Sequence, residues 1–137
     1  MSDALRTRTV RWILVAWTLL IWGSRVRNIV ADDELAGAEQ AIAFAVAITL
    51  IVSALAVAAA MSTDAPWLRS ALAVLVIVGI LRWSLRGPVI LVSDEWGAGF
   101  KAVHTVLWAV TVVLSVGAWR EHHRLMLPSE RHSAEAQ

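Results

Sequence analysis

Four long apolar stretches, separated by short charged segments, dominate the pattern of the chain. A bilayer core about 30 Å thick is crossed by roughly 20 apolar residues in helical conformation. Stretches that meet this requirement lie at about 10–29, 39–61, 67–86 and 96–119. The pattern therefore predicts an all-α protein, a four-transmembrane-helix bundle with short loops.

The remaining residues are polar ends. Residues 1–9 form an N-terminal segment, the four spans occupy 10–119, and residues 120–137 form a C-terminal tail. From Leu127 onward the tail has no periodicity and too few apolar residues to bury. We expect a cytoplasmic N-terminal segment, one transmembrane domain and a cytoplasmic, largely disordered tail.

Composition supports a membrane protein. Hydrophobic residues make up 58% of the chain, above the roughly 45–50% of soluble domains. The absence of cysteine excludes disulfides, thiolate nucleophiles and cysteine metal sites. Arginine greatly outnumbers lysine, and alanine and valine dominate the apolar positions, which is typical of bacterial genomes of high GC content. We expect a multi-pass protein of the bacterial cytoplasmic (inner) membrane.

Basic residues near the predicted helix ends favour one orientation, because positive charge is retained on the cytoplasmic side. With both termini inside, the inner basic residues are Arg6, Arg8, Arg11, Arg69, Arg120, Arg124 and Arg131, and the outer ones are Arg25, Arg27, Arg82, Arg86 and Lys101. This bias is small and favours an N-in, C-in protein. Dual-topology insertion, as in small multidrug resistance transporters, is the alternative.

The first apolar stretch also has the form of a signal peptide, with arginines before residues 12–22. No cleavage site of the A-x-A type follows, since the next residues are Gly23, Ser24 and Arg25. We therefore interpret this stretch as a transmembrane helix rather than as a cleaved signal peptide.

Charged and polar residues gather at the predicted outer ends of the first, third and fourth spans. The candidate polar vestibule consists of Arg25, Arg27, Asn28, Arg82, Arg86, Asp94, Glu95, Lys101 and His104. Charges in a membrane pair with each other or face water, so we expect the arginines to meet acidic residues of the outer loops. The cluster is either a structural network or a ligand site; Arg82 and Arg86 also suit simple anchoring at the headgroups.

A polar stripe extends from this vestibule along the fourth span. Lys101, His104, Trp108, Thr111 and Ser115 share one helix face by their spacing. At Gly87-Pro88 we expect the third helix to end or kink, because proline lacks an N–H donor. The apolar residues 89–92 would then fold back as a cap or lid. Asp64, before Pro66, is expected to cap the start of the third helix.

No recognisable catalytic set, glycine-rich phosphate loop or HExxH motif is present. A haem shared through His104 across a dimer axis is disfavoured, and His122-His123 suits a solvated helix end better than a metal. We expect no cofactor, no metal and no nucleic-acid partner. The expected partners are the lipid bilayer and its anionic headgroups, with a homo-oligomer or a larger membrane complex as further possibilities.

Two functions follow from this interpretation, and an enzyme ranks third. The first is a small bacterial integral membrane protein of non-enzymatic accessory or scaffold type, with a charged outward-facing vestibule. The second is a small oligomeric transporter or channel for an anion or proton-coupled solute, using Arg25, Arg82, Arg86 and His104. In size and number of spans the chain is similar to small multidrug resistance transporters and fluoride channels, a likeness that assigns no residue a role.

Overall fold

The computed structural model describes residues 3–32 and 37–126. Within them lie four helices, α1 (Asp3–Val30), α2 (Gly37–Ser62), α3 (Leu68–Val92) and α4 (Ala98–Met126). Each contains a stretch long and apolar enough to cross a membrane. The predicted all-α class and the four candidate spans are confirmed, whereas N-in, C-in orientation stays a prediction.

Two helices extend beyond the apolar stretches that predict them. Helix α1 begins at Asp3 and so includes most of the N-terminal segment. Helix α4 continues to Met126, so the first seven residues of the expected tail are helical. Arginine, glutamate, leucine and methionine favour helix, which accounts for the added turns. Residues 127–137, where disorder is expected, lie outside the described residues.

The helices pack in the order of the chain. Helix α1 contacts α2 and α4, and α3 contacts the same two helices. Because short connections join successive helices that pack together, neighbours run antiparallel. Helices α1 and α3 therefore end at one end of the molecule, here named the Arg82 end. The opposite end, where α1 and α3 begin, is named the Arg11 end.

A column of buried apolar side chains fills the space between the helices. Its fully buried members include Leu14, Leu50, Val57 and Leu72. Helix α2 has no charged residue after Glu39 and contributes Ala47, Ala54 and Ala60, each with 0% exposure. Small side chains let helix backbones approach closely. These alanines therefore let α2 pack closely against its neighbours.

Helix α3 does not end at Gly87-Pro88, so the expectation of a helix end there is wrong. The helix continues to Val92, and the Ser93 N–H donates to the Val89 carbonyl at 3.1 Å. Gly87 and Ile90 are buried by this last part of the helix. In an apolar environment an unpaired backbone is costly and proline is tolerated within a helix, so residues 89–92 form helix rather than a fold-back lid.

Asp64 ends α2 and does not cap α3, contrary to expectation. Helix α3 begins at Leu68, and its capping residue, Trp67, makes no side-chain capping bond. Asp64 has a φ of 48°, and the Ala65 N–H donates to the Ala60 carbonyl at 2.9 Å. A left-handed residue followed by this hydrogen bond is the Schellman ending of a helix, and aspartate tolerates that conformation.

Candidate functional site: a cavity lined by arginine and aromatic residues

A cavity of about 120 Å³ lies at the Arg82 end, between α1, α3 and α4. We call it the arginine cavity. Its lining residues are Trp22, Arg25, Arg82, Trp83, Arg86, Ile90, Trp96, Phe100 and His104. Four residues of the predicted vestibule, Arg25, Arg82, Arg86 and His104, therefore lie around one space.

The arginines that line the cavity come from two helices that do not pack against each other, and Arg82 is half-buried whereas Arg25 and Arg86 are exposed. Arg82 and Arg86 are one turn apart on α3, whereas Arg25 comes from α1. At a rise of 1.5 Å per residue, Arg25 lies about 8 Å before the end of α1 and Arg86 about 9 Å before the end of α3. Positive charge thus approaches the cavity from opposite sides at similar heights.

The cavity arginines have no acidic partner in the described part of the chain. No carboxylate there lies within 4.0 Å of a guanidinium nitrogen of Arg25, Arg82 or Arg86. Instead, Arg82 is close enough to Arg25 and Arg86 to be repelled by both charges. The expected ion pairs with Asp94 and Glu95 are absent.

Those two acids stay at the surface because the added turns of α3 carry them past the cavity. Asp94 and Glu95 are exposed in the connection that follows α3. The other acids expected to meet the arginines include Asp33 and Glu34, which lie outside the described residues. The described part of the chain therefore leaves the cavity with an excess of positive charge.

An aromatic stack forms the α4 side of the cavity. Trp96 and Phe100 stack with ring centroids 4.3 Å apart and an interplanar angle of 16°. Phe100 and His104 continue the stack at 3.9 Å and 30°. Trp83 of α3 meets the His104 ring at 6.2 Å and 55°. Residues four apart share a helix face, so this stack follows from the sequence spacing, and it fixes the His104 ring.

His104 also makes a hydrogen bond that sets its tautomer. Its Nδ1 lies 2.9 Å from the Phe100 carbonyl oxygen. A carbonyl oxygen only accepts, so Nδ1 carries the proton and Nε2 is the remaining polar atom. In the neutral ring Nε2 is an acceptor, and in the imidazolium it is a donor.

Trp83 brings a buried donor to the cavity wall. The side chain is only 7% exposed, and its indole N–H has no hydrogen-bond partner among the described residues. A buried donor without a partner is destabilising by about 1–3 kcal/mol. The indole N–H of Trp108 is unpaired in the same sense, but Trp108 lines a separate void of about 10 Å³.

Towards the middle of the molecule the interior narrows. A second void, of about 10 Å³, lies beside Trp22, which also lines the arginine cavity. Its polar lining residues include Thr18, Thr111 and Ser115, all buried. Trp17 donates to the Thr111 hydroxyl at 3.0 Å and thereby joins α1 to α4. Such a void holds about one water molecule, so the described helices are closed here.

Several predicted site residues lie away from the cavity. Arg27, Asn28, Asp94 and Glu95 are exposed, and Lys101 is half-buried outside the cavity lining. Of the predicted stripe, Thr111 and Ser115 face the second void, and Trp108 is half-buried. The predicted set is therefore divided among the cavity, the interior and the surface.

Sequence reasoning missed the aromatic members of the site. Trp22 and Trp96 both line the cavity, and Trp22 is 9% exposed, but neither belongs to the predicted vestibule. Trp83 and Phe100 are not predicted at all. The spacing of Trp96, Phe100 and His104 was the available signal for the stack, whereas Trp83 offered none.

A second charged pocket, of about 60 Å³, lies at the Arg11 end. We call it the Arg11 pocket. It is lined by Arg8, Arg11, Met61, Asp64 and Leu68. Arg11 is 8% exposed, so most of its side chain packs against the protein. Here a carboxylate lines the same space as the two guanidinium groups.

No group of three or more metal-binding side chains lies together in residues 3–32 and 37–126. Comparisons with protein-family models, with curated protein sequences and with solved structures found no match for the chain. The arginine cavity is therefore the feature of the molecule that indicates a function.

Proposed function

We propose that the protein is a non-enzymatic, accessory-type integral membrane protein that binds an anionic ligand in the arginine cavity. The observation that carries this proposal is the presence of three guanidinium groups around one cavity, without a carboxylate partner among the described residues. The proposal places the protein in a bacterial inner membrane with both termini in the cytoplasm, so that the cavity opens outward.

Electrostatics favours an external anion. Arg82 is half-buried beside the like charges of Arg25 and Arg86, and repulsion is screened less for a partly buried charge than for exposed ones. An anion in the cavity would convert this repulsion into attraction, and charge-assisted hydrogen bonds to arginine are about twice as strong as neutral ones. The Trp83 indole N–H is buried and unpaired beside the cavity, and a small rotation of the ring would let it donate to the anion.

The described interior favours binding over open conduction. The void beneath Trp22 has only about 10 Å³, which is too small for a continuous column of water. A ligand in the cavity would thus be held at one end of the molecule. Contact with a homo-oligomer or a larger membrane complex is part of this accessory role and depends on surfaces outside the cavity.

The test is anion-dependent thermal stabilisation of the purified protein at constant ionic strength. We expect inorganic phosphate to raise the Tm saturably in the wild type. Arg82→Gln should abolish the increase, whereas Arg69→Gln should retain it, because Arg69 is exposed near the start of the same helix. A wild type whose Tm responds to none of phosphate, sulfate, acetate, chloride and phosphatidic acid would overturn the proposal.

A small anion transporter is the second candidate, and Trp22 is the observation that favours it. This side chain lines both the arginine cavity and the polar void beneath it. Movement of one indole would therefore join the two spaces. In proteoliposomes, Trp22→Ala should raise anion efflux several-fold over the wild type, whereas Trp12→Ala, an exposed tryptophan of the same helix, should not. Equal efflux from both variants would exclude this candidate.

A further inference from the structure

The donors around the arginine cavity suit one class of anion better than others. Each guanidinium group offers a planar fork of N–H donors that matches a pair of oxygens. Arg82 and Arg86 present such forks from α3, and Arg25 presents one from α1. Converging forks need an anion whose oxygen atoms point in several directions.

A phosphate group meets this requirement more fully than the common alternatives. Its oxygens are arranged tetrahedrally, so forks on opposite sides can each meet different oxygens. A carboxylate has two oxygens in one plane and is saturated by one or two forks. A halide has no oxygen geometry and gains nothing from the fork. A phosphate also carries up to two negative charges, which oppose the three guanidinium charges more completely.

The size and lining of the cavity fit a phosphate group and little more. The volume of about 120 Å³, against about 10 Å³ for the void that holds about one water molecule, leaves room for a small polyatomic anion. Ile90, Trp96 and Phe100 add apolar wall beside the arginines. This wall suits the carbon atoms of a phosphate ester, while the volume leaves no room for the chains of a lipid.

We infer that the arginine cavity is a phosphate-group site, with Arg25, Arg82 and Arg86 as its guanidinium ligands and the Trp83 indole N–H as an additional donor. This inference rests on the proposed anion-binding function. The phosphate group comes either from free inorganic phosphate or from the headgroup of an anionic lipid, since both present the same oxygens.

The first experiment is an affinity series by titration calorimetry on the delipidated full-length protein. The probes are inorganic phosphate, sulfate, acetate and chloride at constant ionic strength, and phosphatidic acid against phosphatidylcholine in mixed micelles. We expect phosphate or phosphatidic acid to bind at least tenfold more tightly than acetate and chloride, and sulfate, which has the same tetrahedral arrangement of oxygens, to bind more tightly than acetate and chloride as well. Binding of phosphatidic acid alone assigns the lipid source, and comparable binding of inorganic phosphate assigns the free anion.

Failure of the inference differs from failure of the proposed function. If acetate or chloride binds as tightly as phosphate and phosphatidic acid, and Arg82→Gln removes that binding, the protein binds anions but the phosphate inference is wrong. If none of the probes binds, both are wrong. The comparison among the probes uses only the wild-type protein, and Arg82→Gln serves only to locate the binding in the cavity.

Two conservative variants test the proposed geometry. Arg82→Lys keeps the charge and loses the fork, so it should reduce the preference for phosphate over chloride about tenfold while chloride binding stays; Arg69→Lys is the matched control. Trp83→Phe keeps an aromatic ring and removes the N–H, and should weaken phosphate binding about fivefold, the equivalent of one hydrogen bond. Unchanged preference and affinity in both variants would contradict the assigned ligands.

Discussion

The two ends of the molecule place arginine in different surroundings. At the Arg11 end, Arg8 and Arg11 line a pocket of about 60 Å³ together with Asp64. At the Arg82 end, three arginines line a cavity of about 120 Å³ whose lining includes no carboxylate among the described residues. Both ends have basic side chains near a helix terminus, and both are consistent with anchoring in a membrane.

The two ends differ in that the carboxylate of Asp64 lines the Arg11 pocket. A carboxylate in the Arg11 pocket offsets part of the positive charge there, so that pocket can be stable without a ligand. The arginine cavity has no such compensation in the described chain and has an unpaired indole donor as well. The number of arginines at each end therefore says little about function. The presence or absence of a neighbouring carboxylate distinguishes a structural cluster from a candidate binding site.

The largest expected effect is charge reversal in the arginine cavity. Arg82→Glu places a carboxylate beside Arg25 and Arg86, where it would pair with them and exclude an anion. Phosphate affinity should fall at least 100-fold, as measured by the phosphate dependence of Tm. The matched change at the other end, Arg8→Glu, should alter that affinity less than twofold. Equal losses in both variants would show that the two ends do not differ as argued.

The second effect concerns stability at the Arg11 end. Arg11 is 8% exposed and interacts with other residues, so Arg11→Ala removes both the packing of a long side chain and that interaction. We expect the free energy of unfolding to fall by about 2 kcal/mol, measured by unfolding in mixed detergent micelles. Arg8→Ala, at an exposed position, is the control and should change it by less than about 0.5 kcal/mol. A smaller loss for Arg11 than for Arg8 would contradict the structural role.

The third prediction concerns stability at the Arg82 end, where removal of an arginine should raise the free energy of unfolding rather than lower it. Arg86→Gln removes one of three like charges at the cavity, so in buffer without a binding anion it should stabilise the fold, by at most about 1 kcal/mol because Arg86 is exposed and its charge is screened by solvent. Saturating phosphate should cancel this gain, because only the wild type then has its full set of ligands. Destabilisation of Arg86→Gln without any anion would mean that Arg86 has a structural partner.

The smallest expected effect is on stability, from the loss of a hydrogen bond between α1 and α4 in the middle of the molecule. Thr111→Val removes the acceptor for the Trp17 indole N–H, a bond of 3.0 Å that joins α1 to α4. Hydrogen bonds between helices in membranes contribute about 0.6 kcal/mol on average, and we expect a loss of that size. Thr105→Val is the control, since Thr105 bonds only to the carbonyl of Lys101 on its own helix. Phosphate affinity should stay the same in both variants, because neither residue lines the cavity.

The spans could be predicted because about 20 apolar residues in a row have few alternatives to a membrane-crossing helix. The helix ends could not, because polar residues that favour helix extend α1 and α4 without any apolar signal. The prediction at Pro88 failed for a related reason. Proline ends a helix readily in water, but apolar surroundings favour continuing it, and the buried Gly87 and Ile90 pack only if it does.

Part of the site could also be predicted. Arg25, Arg82, Arg86 and His104 were grouped from their heights along the helices, and the structure places all four around one cavity. Their partners could not be predicted, because the sequence does not show that α1 and α3 face each other across it. The place of Trp83 in the cavity wall could not be predicted, since a tryptophan in an apolar stretch can lie in the core, at the membrane interface or beside a cavity.

The charge-free second helix has a consequence for biogenesis. The most apolar window of α2 has a mean hydropathy of 2.6, against 1.3 for α1, which has arginines near both ends. Each arginine within a span opposes insertion by up to about 3 kcal/mol at the helix centre. Because α1 and α2 are joined by a short connection and pack together, we expect the two to enter the bilayer as a hairpin during synthesis. In the proposed orientation, insertion of the apolar α2 would then provide the free energy that carries the connection between α1 and α2 across the bilayer.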